Sequence, residues 1–242
     1  MIDMHCHILP GIDDGPESFE EALAMARMAA ADGIRTIVAT PHMDDRYLYP
    51  EPDRLRDLTA RLNELIRAEG LPLRILPGAE VRTGTELLDN LQAGKVMTVG
   101  DGGKYVLLEL PPTGVAVYAG ELFFRLQVAG YTPILAHAER VDQFRQEPKR
   151  LRDLRDRNVR VQVNAESISG KAGRIMRNFA LHLVKEGLAD ILGSDGHNVD
   201  RRKPLLSVAQ HNLRGRAGAF ERLTQTTPRS FLPPSEACGR EE

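Results

Sequence analysis

Apolar, strand-like runs alternate with helix-like segments along almost the whole 242-residue chain. Seven runs are predicted strands, at residues 2–5, 36–40, 73–76, 105–108, 132–136, 159–163 and 190–192. Helices are predicted at residues 18–31, 53–69, 85–91, 115–129, 148–157, 172–186, 204–213 and 219–224. Such alternation predicts a parallel sheet covered by helices and limits the fold class more than any other feature. No linker-like stretch divides the chain, so we expect a single α/β domain over 1–232 and a polar tail over 233–242.

The composition excludes several classes of protein. The formal net charge is −2, and no basic stripe with interleaved aromatic residues points to nucleic acid. The two cysteines, Cys6 and Cys238, do not form a disulfide framework and suit a reducing cytoplasm. No signal peptide is evident, and no run of about 18 apolar residues predicts insertion into a membrane. We therefore expect a cytoplasmic protein.

Polar side chains follow the predicted strands, at the points where the strands end. They are His5, His7, Asp14, His42, Glu80, Glu109, His137, Asn164, Asp195 and His197. In a barrel of parallel strands, functional residues lie at the carboxyl ends of the strands, so we expect these groups to face one pocket. The remaining histidines, His182 and His211, fall in predicted helices and are interpreted as structural or surface residues.

These residues predict a metal site with more than one ion. Five imidazoles and four carboxylates exceed the roughly three protein ligands that a catalytic zinc ion takes, so they suit two or three ions. Imidazole and carboxylate ligands without thiolate favour manganese, iron or zinc over calcium or magnesium. Three divalent ions would outweigh the four carboxylates in charge, which favours an anionic substrate such as a phosphate ester. Asn164 could orient a ligand or simply hydrogen-bond within its loop.

Cys6 lies within this pattern but does not predict cysteine-based phosphatase chemistry. That chemistry needs an arginine six residues after the nucleophile, and Ile12 stands there. On a strand, Cys6 faces away from His5 and His7, so we expect it to fill space in the core.

Taken together, the motifs resemble the polymerase and histidinol phosphatase (PHP) superfamily. The opening Met1-Ile-Asp-Met-His-Cys-His-Ile-Leu-Pro-Gly-Ile-Asp-Asp-Gly15 is more closely similar to metal-dependent bacterial protein-tyrosine phosphatases of the capsule-associated CpsB type. Four further blocks are also similar, namely Ile37-Val-Ala-Thr-Pro-His42, Leu135-Ala-His-Ala-Glu-Arg140, Val163-Asn-Ala-Glu-Ser-Ile-Ser-Gly170 and Ala189-Asp-Ile-Leu-Gly-Ser-Asp-Gly-His-Asn198. The departures are small, since Cys6 stands in place of a usual serine and Gly196 in place of a frequent alanine.

The resemblance implies a distorted (β/α)7 barrel with a trinuclear site, most simply of manganese. One ion would take His5, His7, Glu80 and Asp195. The second would take Glu80, Glu109 and His137, and the third Asp14, His42 and His197. Asp13 could take the place of Asp14 as the metal ligand. If it does not, we expect Asp13 to hydrogen-bond to one of the ligands. Arg140 matches an arginine that engages phosphate, and Arg140, Asp195 and His197 are the predicted catalytic residues.

The implied function is hydrolysis of phosphotyrosine in the tyrosine-rich tail of a bacterial tyrosine kinase that governs capsule or exopolysaccharide synthesis. Arg46 and Tyr47, with Tyr49, could line the substrate entrance or be ordinary surface residues. A small-molecule phosphatase similar to histidinol phosphatase is the alternative enzyme. A non-catalytic metal-binding scaffold is the alternative from another class, and the oligomeric state stays open.

Overall fold

A computed structural model describes residues 1–44, 50–111, 119–216 and 218–234. Within these ranges the strands are β1 (Ile2–Cys6), β2 (Thr36–Ala39), β3 (His42–Met43), β4 (Arg74–Leu76), β5 (Glu80–Arg82), β6 (Tyr105–Glu109), β7 (Thr132–Leu135), β8 (Arg160–Asn164) and β9 (Ile191–Gly193). Each of the seven predicted strands is present with its ends shifted by at most a residue or two. The short strands β3 and β5 were not predicted, because two or three residues carry no visible periodicity.

Eight helices lie between the strands along the described part of the chain, and three more follow β9. They are α1 (Phe19–Ala31), α2 (Pro52–Ala68), α3 (Leu87–Gln92), α4 (Ala119–Val128), α5 (Asp142–Gln146), α6 (Pro148–Asp156), α7 (Ala165–Ser169), α8 (Arg174–Lys185), α9 (Gln210–Leu213), α10 (Ala219–Glu221) and α11 (Thr227–Phe231). The short helices α5, α7 and α11 were not predicted, and the predicted start of the helix at 115–129 lies outside the described residues. None of the helices in the described ranges is long and apolar enough to cross a membrane.

Local signals explain where the first helix begins. The Ser18 hydroxyl caps α1 by accepting a hydrogen bond from the Glu21 backbone N–H at 3.2 Å. In a capping box, the Glu21 carboxylate would accept a hydrogen bond from the backbone N–H of Ser18. Here it accepts instead from the N–H of the preceding residue, Glu17, at 2.8 Å.

All strand pairs are parallel, and the sheet curls into a distorted barrel. The pairing orders are β1-β2-β4 and β3-β5-β6-β7-β8-β9, where β3 continues the path of β2 and β5 that of β4. Two backbone hydrogen bonds join the far edges, from Asp195 N to His5 O and from His7 N to Gly196 O, both 2.8 Å. The predicted barrel-like α/β fold in one domain is therefore confirmed.

The core has an inner and an outer layer. Inward-facing strand residues such as Met4, Leu107 and Ile134 form a cluster that Phe231 of α11 joins, and the larger cluster lies between the strands and the helices. The register of β1 against β2 shifts between Asp3 and Cys6. A shift of this kind redirects side chains, because it breaks the strict alternation of a strand. Met4 consequently packs inside, whereas Cys6 belongs to the outer cluster.

Candidate metal centre

The predicted polar residues converge at the carboxyl ends of the strands. His5 lies near the end of β1, His42 on β3, Glu80 on β5 and Glu109 at the end of β6, while His137, Asp195 and His197 follow β7 and β9. Most of these side chains are buried, and Glu109 and Asp14 are the more accessible ones. Parallel strands bring distant parts of the chain to one edge, so residues up to about 190 positions apart share this pocket.

The first cluster is built around two imidazole nitrogens that face each other. His5 Nε2 and His7 Nε2 are 3.2 Å apart, and each lies 3.4 Å from Glu80 Oε2. Asp195 Oδ1 lies 3.7 Å from both nitrogens. These four residues are the group that the resemblance assigns to one ion.

Glu80 connects this cluster to a second one. While its Oε2 faces His5 and His7, its Oε1 lies 2.8 Å from His137 Nε2. Glu109 Oε1 lies 4.0 Å from the same His137 nitrogen. A carboxylate whose two oxygens face different clusters is placed as a bridging ligand would be.

The third cluster contains Asp14 rather than Asp13. Asp14 Oδ1 lies 3.2 Å from His197 Nε2 and 3.6 Å from His42 Nε2. Asp13 points behind the cluster, where its Oδ2 accepts hydrogen bonds from His7 Nδ1 at 2.6 Å and from the His42 N–H at 2.8 Å. The two neighbouring carboxylates therefore have different positions, one within the cluster and one supporting it.

Three of the imidazoles have their Nδ1 atoms held from outside the pocket. His7 Nδ1 contacts Asp13, His5 Nδ1 lies 3.1 Å from Gln162 Oε1, and His197 Nδ1 lies 2.9 Å from the Asp195 carbonyl oxygen. An acceptor at Nδ1 fixes the proton there and turns the Nε2 lone pair inward, as metal-bound histidines require. The donor set therefore fits divalent metal ions.

Neighbouring positive charges favour the ionised form of two carboxylates in the pocket, those of Asp14 and Asp195. Burial opposes ionisation of Asp14 and Asp195, but the neighbouring histidines outweigh it for Asp14, and His5 with Arg202 does so for Asp195, so both pKa values are lowered. Burial likewise disfavours charge on His7, yet Asp13 and Glu80 raise its pKa to about 10, so a metal ion binding at His7 Nε2 would displace a proton. Burial and the charge on His7 lower the pKa of His42 to about 4.

Two arginines stand beside the clusters and share the Asp195 carboxylate. Arg140 Nη1 lies 3.3 Å from Asp195 Oδ2, and Arg202 Nη2 lies 2.7 Å from Oδ1. Arg202 Nη1 also lies 3.3 Å from Asp14 Oδ2. Both arginine side chains are 35% exposed. The acidic residues nearest to Arg140 in the sequence have other partners, since Glu139 accepts from the Asn164 N–H at 3.0 Å and Asp142 pairs with Arg145.

Strained backbone positions coincide with the pocket. His137 and Asp195 have positive φ angles of 31° and 54°, which residues other than glycine rarely adopt. Such conformations cost about 1–3 kcal/mol each and persist where surrounding contacts impose them. Here the Asp195 N–H donates to His5 O, and the His137 N–H donates to Gln162 Oε1 at 2.6 Å.

The remaining predictions concern Asn164, Cys6 and the residues expected at the substrate entrance. Asn164 Nδ2 donates to Asp195 Oδ2 at 2.8 Å, so it orients a carboxylate of the pocket. Cys6 is fully buried, its thiol donates to the Gly196 carbonyl at 3.4 Å, and burial raises its pKa well above the usual range, all of which suits a packing role. The predicted entrance residues Arg46 and Tyr47, together with Tyr49, lie outside the described residues.

Three residues at the site were not predicted from the sequence. Arg202 sits in a polar loop after His197, and Asp44 groups with His42 and Glu109. Gln162 lies between two valines in β8. Asp44 carried a usable signal, because it follows His42 by two residues on a strand end. Nothing in the local sequence marks Arg202 or Gln162.

The sequence is similar to those of known proteins of one family. The family model described as capsular polysaccharide synthesis, CpsB/CapC, matches residues 1–232. The chain is 39% identical over 202 residues to tyrosine-protein phosphatase YwqE of Bacillus subtilis (strain 168), covering 84% of this chain and 79% of that protein. It is 29% identical over 226 residues to tyrosine-protein phosphatase CpsB of Streptococcus pneumoniae, covering 90% and 92%.

A solved structure is also similar over nearly the whole chain. It belongs to a study of YwqE from Bacillus subtilis and CpsB from Streptococcus pneumoniae, which are described there as unique metal-dependent tyrosine phosphatases. It superposes with a TM-score of 0.89 at 36% sequence identity and covers 94% of this chain and 93% of that one.

Proposed function

We propose a function for this chain from the premise that it belongs to the CpsB/CapC family of capsular polysaccharide synthesis. The function is metal-dependent hydrolysis of phosphotyrosine in a protein. The observation that carries it is the convergence of five imidazoles and four carboxylates at the strand ends, with Arg140 and Arg202 beside them. Such a site suits a phosphate dianion held between metal ions and guanidinium groups.

Three ions are proposed, in the groups that the distances support. His5, His7, Glu80 and Asp195 would hold one ion. Glu80, Glu109 and His137 would hold a second, and Asp14, His42 and His197 a third. Manganese is the proposed metal, with iron or zinc as alternatives, because the ligands are imidazoles and carboxylates without thiolate.

Divalent ions bound in these clusters supply Lewis acidity at the phosphoryl group and lower the pKa of a water molecule. The chain's own contribution is to bind and orient the substrate. Arg140 offers two parallel N–H donors to phosphoryl oxygens as negative charge grows on them, and Arg202 lies on the other side of Asp195. The leaving phenolate has a pKa of about 10, which is lower than that of an alkoxide, so no general acid is assigned.

The proposed substrate is the tyrosine-rich tail of a bacterial tyrosine kinase that controls capsule or exopolysaccharide synthesis. The names of the relatives and the family description support this substrate class. A kinase tail of this kind lies in the cytoplasm, so this location is part of the proposal. Arg46 and Tyr47 stay predicted contacts to the substrate.

Chelation followed by metal restoration tests the proposal directly. The purified protein is stripped of metal, assayed on p-nitrophenyl phosphate and on a phosphotyrosine peptide, and then supplied with Mn²⁺. We expect activity to be lost on stripping and to return with Mn²⁺. Hydrolysis that survives complete removal of metal would contradict a metal-dependent mechanism.

A substrate panel separates this function from its alternatives. Phosphotyrosine peptides should be turned over faster than histidinol phosphate at equal concentration. The reverse order would favour a small-molecule phosphatase similar to histidinol phosphatase. A metal-loaded protein that hydrolyses no phosphomonoester would favour a binding or scaffolding role.

A further inference from the structure

A fully buried glutamine lies behind the metal clusters. Gln162 is in the middle of β8 between Val161 and Val163, with no exposed surface. An amide buried among apolar side chains is unfavourable unless its donors and acceptor find partners. The contacts of Gln162 therefore define its role.

The direction of each hydrogen bond at Gln162 follows from one unambiguous donor. The His137 backbone N–H can only donate, so the Gln162 atom 2.6 Å away is the oxygen Oε1. Gln162 Nε2 then donates to Asn164 Oδ1 at 2.8 Å, and Asn164 Nδ2 donates to Asp195 Oδ2 at 2.8 Å. The chain of bonds ends on a carboxylate, which only accepts.

The same oxygen determines the tautomer of His5. His5 Nδ1 lies 3.1 Å from Gln162 Oε1, which can only accept, so Nδ1 must carry the hydrogen. The Nε2 atom of His5 is then left with a lone pair that faces His7 and Glu80. A neutral imidazole in this tautomer is the form that binds a metal ion through Nε2.

The neighbouring strand leaves room for this arrangement only because it carries glycine. A Cβ atom at Gly193 on β9 would lie 2.6 Å from His5 Cβ and 2.8 Å from Gln162 Nε2. Both distances are shorter than a carbon atom tolerates. Gly193 thus lets the Gln162 amide reach between β8 and the His5 ring.

We propose that Gln162, acting with Asn164, is a positioning residue that sets the His5 Nε2 lone pair and the Asp195 carboxylate for metal binding. This inference rests on the proposed metal-dependent function, since it assigns a role toward the metal ions of that site. One amide contacts residues of two clusters, His5 in the first and the His137 backbone in the second. Its loss should therefore affect metal binding at both.

The test compares two substitutions at the same position. Gln162→Met keeps the length of the side chain but removes every hydrogen bond, whereas Gln162→Glu keeps an acceptor for His5 and His137. Mn²⁺ affinity is measured by competition with a chelating indicator dye. We expect Gln162→Met to bind Mn²⁺ on the order of 10–100-fold more weakly than the unsubstituted protein. Gln162→Glu should bind more tightly than Gln162→Met.

Val163→Ala provides the matched control for lost stability. Val163 is buried in the same strand but points to the opposite face, so shortening it destabilises β8 without touching the amide. Its Mn²⁺ affinity should stay within about twofold of the unsubstituted protein. An equal loss of affinity in Val163→Ala and Gln162→Met would overturn the proposal, because general destabilisation would then explain both.

A second readout does not depend on phosphatase activity. Nitrogen-15 NMR of the metal-free protein reports which ring nitrogen of His5 carries the hydrogen. We expect the Nδ1–H tautomer in the unsubstituted protein and in Gln162→Glu, and a mixture in Gln162→Met. An unchanged tautomer with unchanged affinity in Gln162→Met would refute the positioning role. Failure of the unsubstituted protein to bind Mn²⁺ would instead refute the proposed function.

Discussion

Two adjacent carboxylates illustrate how much a single residue position matters in this pocket. Asp13 is fully buried and accepts from the His7 ring, whereas Asp14 is 42% exposed and faces His42 and His197. Which of the two carboxylates faces the cluster could not be predicted from the sequence. Both lie in a loop whose backbone angles the residue types do not fix, so neighbouring side chains can point in either direction.

Substituting these carboxylates separately should therefore give different results. We expect Asp14→Ala to lose about one ion per chain, because the substitution removes an oxygen from the third cluster. Asp13→Asn should keep the full metal complement and weaken affinity on the order of 10–100-fold, because His7 loses a charged acceptor. Metal analysis after gel filtration measures both. A full complement in Asp14→Ala with a missing ion in Asp13→Asn would reverse the assignment.

Arg140 lies beside Asp195 in the pocket, so we expect its removal to impair catalysis without loss of metal. We expect Arg140→Ala to lower kcat on p-nitrophenyl phosphate by about 10²–10³-fold, since one charged donor to the phosphoryl group disappears. Metal content should not change, because the guanidinium ligates no ion. Arg150→Ala is the matched control, since Arg150 pairs with Glu147 on the surface. Loss of metal from Arg140→Ala would show a structural role instead.

At the scale of elements, the helices hold the strands from outside the pocket. The helix predicted at 53–69 is present as α2, and its Leu62 is fully buried against the outer core. Leu65, three residues further along the same helix, is only partly buried. Helical periodicity predicts which face is covered, but how deeply each residue is covered depends on neighbours that the local sequence does not reveal.

The two leucines offer a matched pair for stability. Leu62→Ala should lower the free energy of unfolding by about 2–5 kcal/mol, the usual cost of a cavity in a close-packed core. Leu65→Ala should cost about half of that or less, because less apolar surface leaves contact. Denaturant unfolding of the metal-loaded proteins measures both. Specific activity of the folded fraction should stay unchanged, and a larger loss in Leu65→Ala would contradict the observed burial.

Over the whole molecule, the sequence predicted the barrel-like fold and the convergence of the strand ends. The prediction succeeded because six of the seven predicted strands end in, or are followed by, a histidine, aspartate or glutamate of the pocket, and the parallel topology brings these strand ends together. It could not include Arg202 or Gln162, because arginine in a polar loop and glutamine in a strand are common without any such role. Their positions depend on contacts across the barrel.

Metal binding should stabilise the folded chain as a whole. Glu80, Glu109 and His137 place one ligand atom each within 4.8 Å of one another in the folded chain. Ligands that bind only the folded state add free energy in proportion to the logarithm of their concentration. At 100 times Kd the gain is about 2.7 kcal/mol for one site. We expect Tm to rise with Mn²⁺ and to fall with a chelator. Glu80→Gln, which alters the residue shared by two clusters, should show a clearly smaller rise.

The hydrogen bonds between β1 and the segment after β9 also govern the order in which the chain can be completed. Cys6 and its partner Gly196 are 190 positions apart, so one edge of β1 has no neighbour until almost all of the barrel has been synthesised. Pairings between such distant segments form slowly, and an open strand edge invites association with other chains. In a nascent chain of this protein, the first strand therefore keeps one open edge for most of the synthesis.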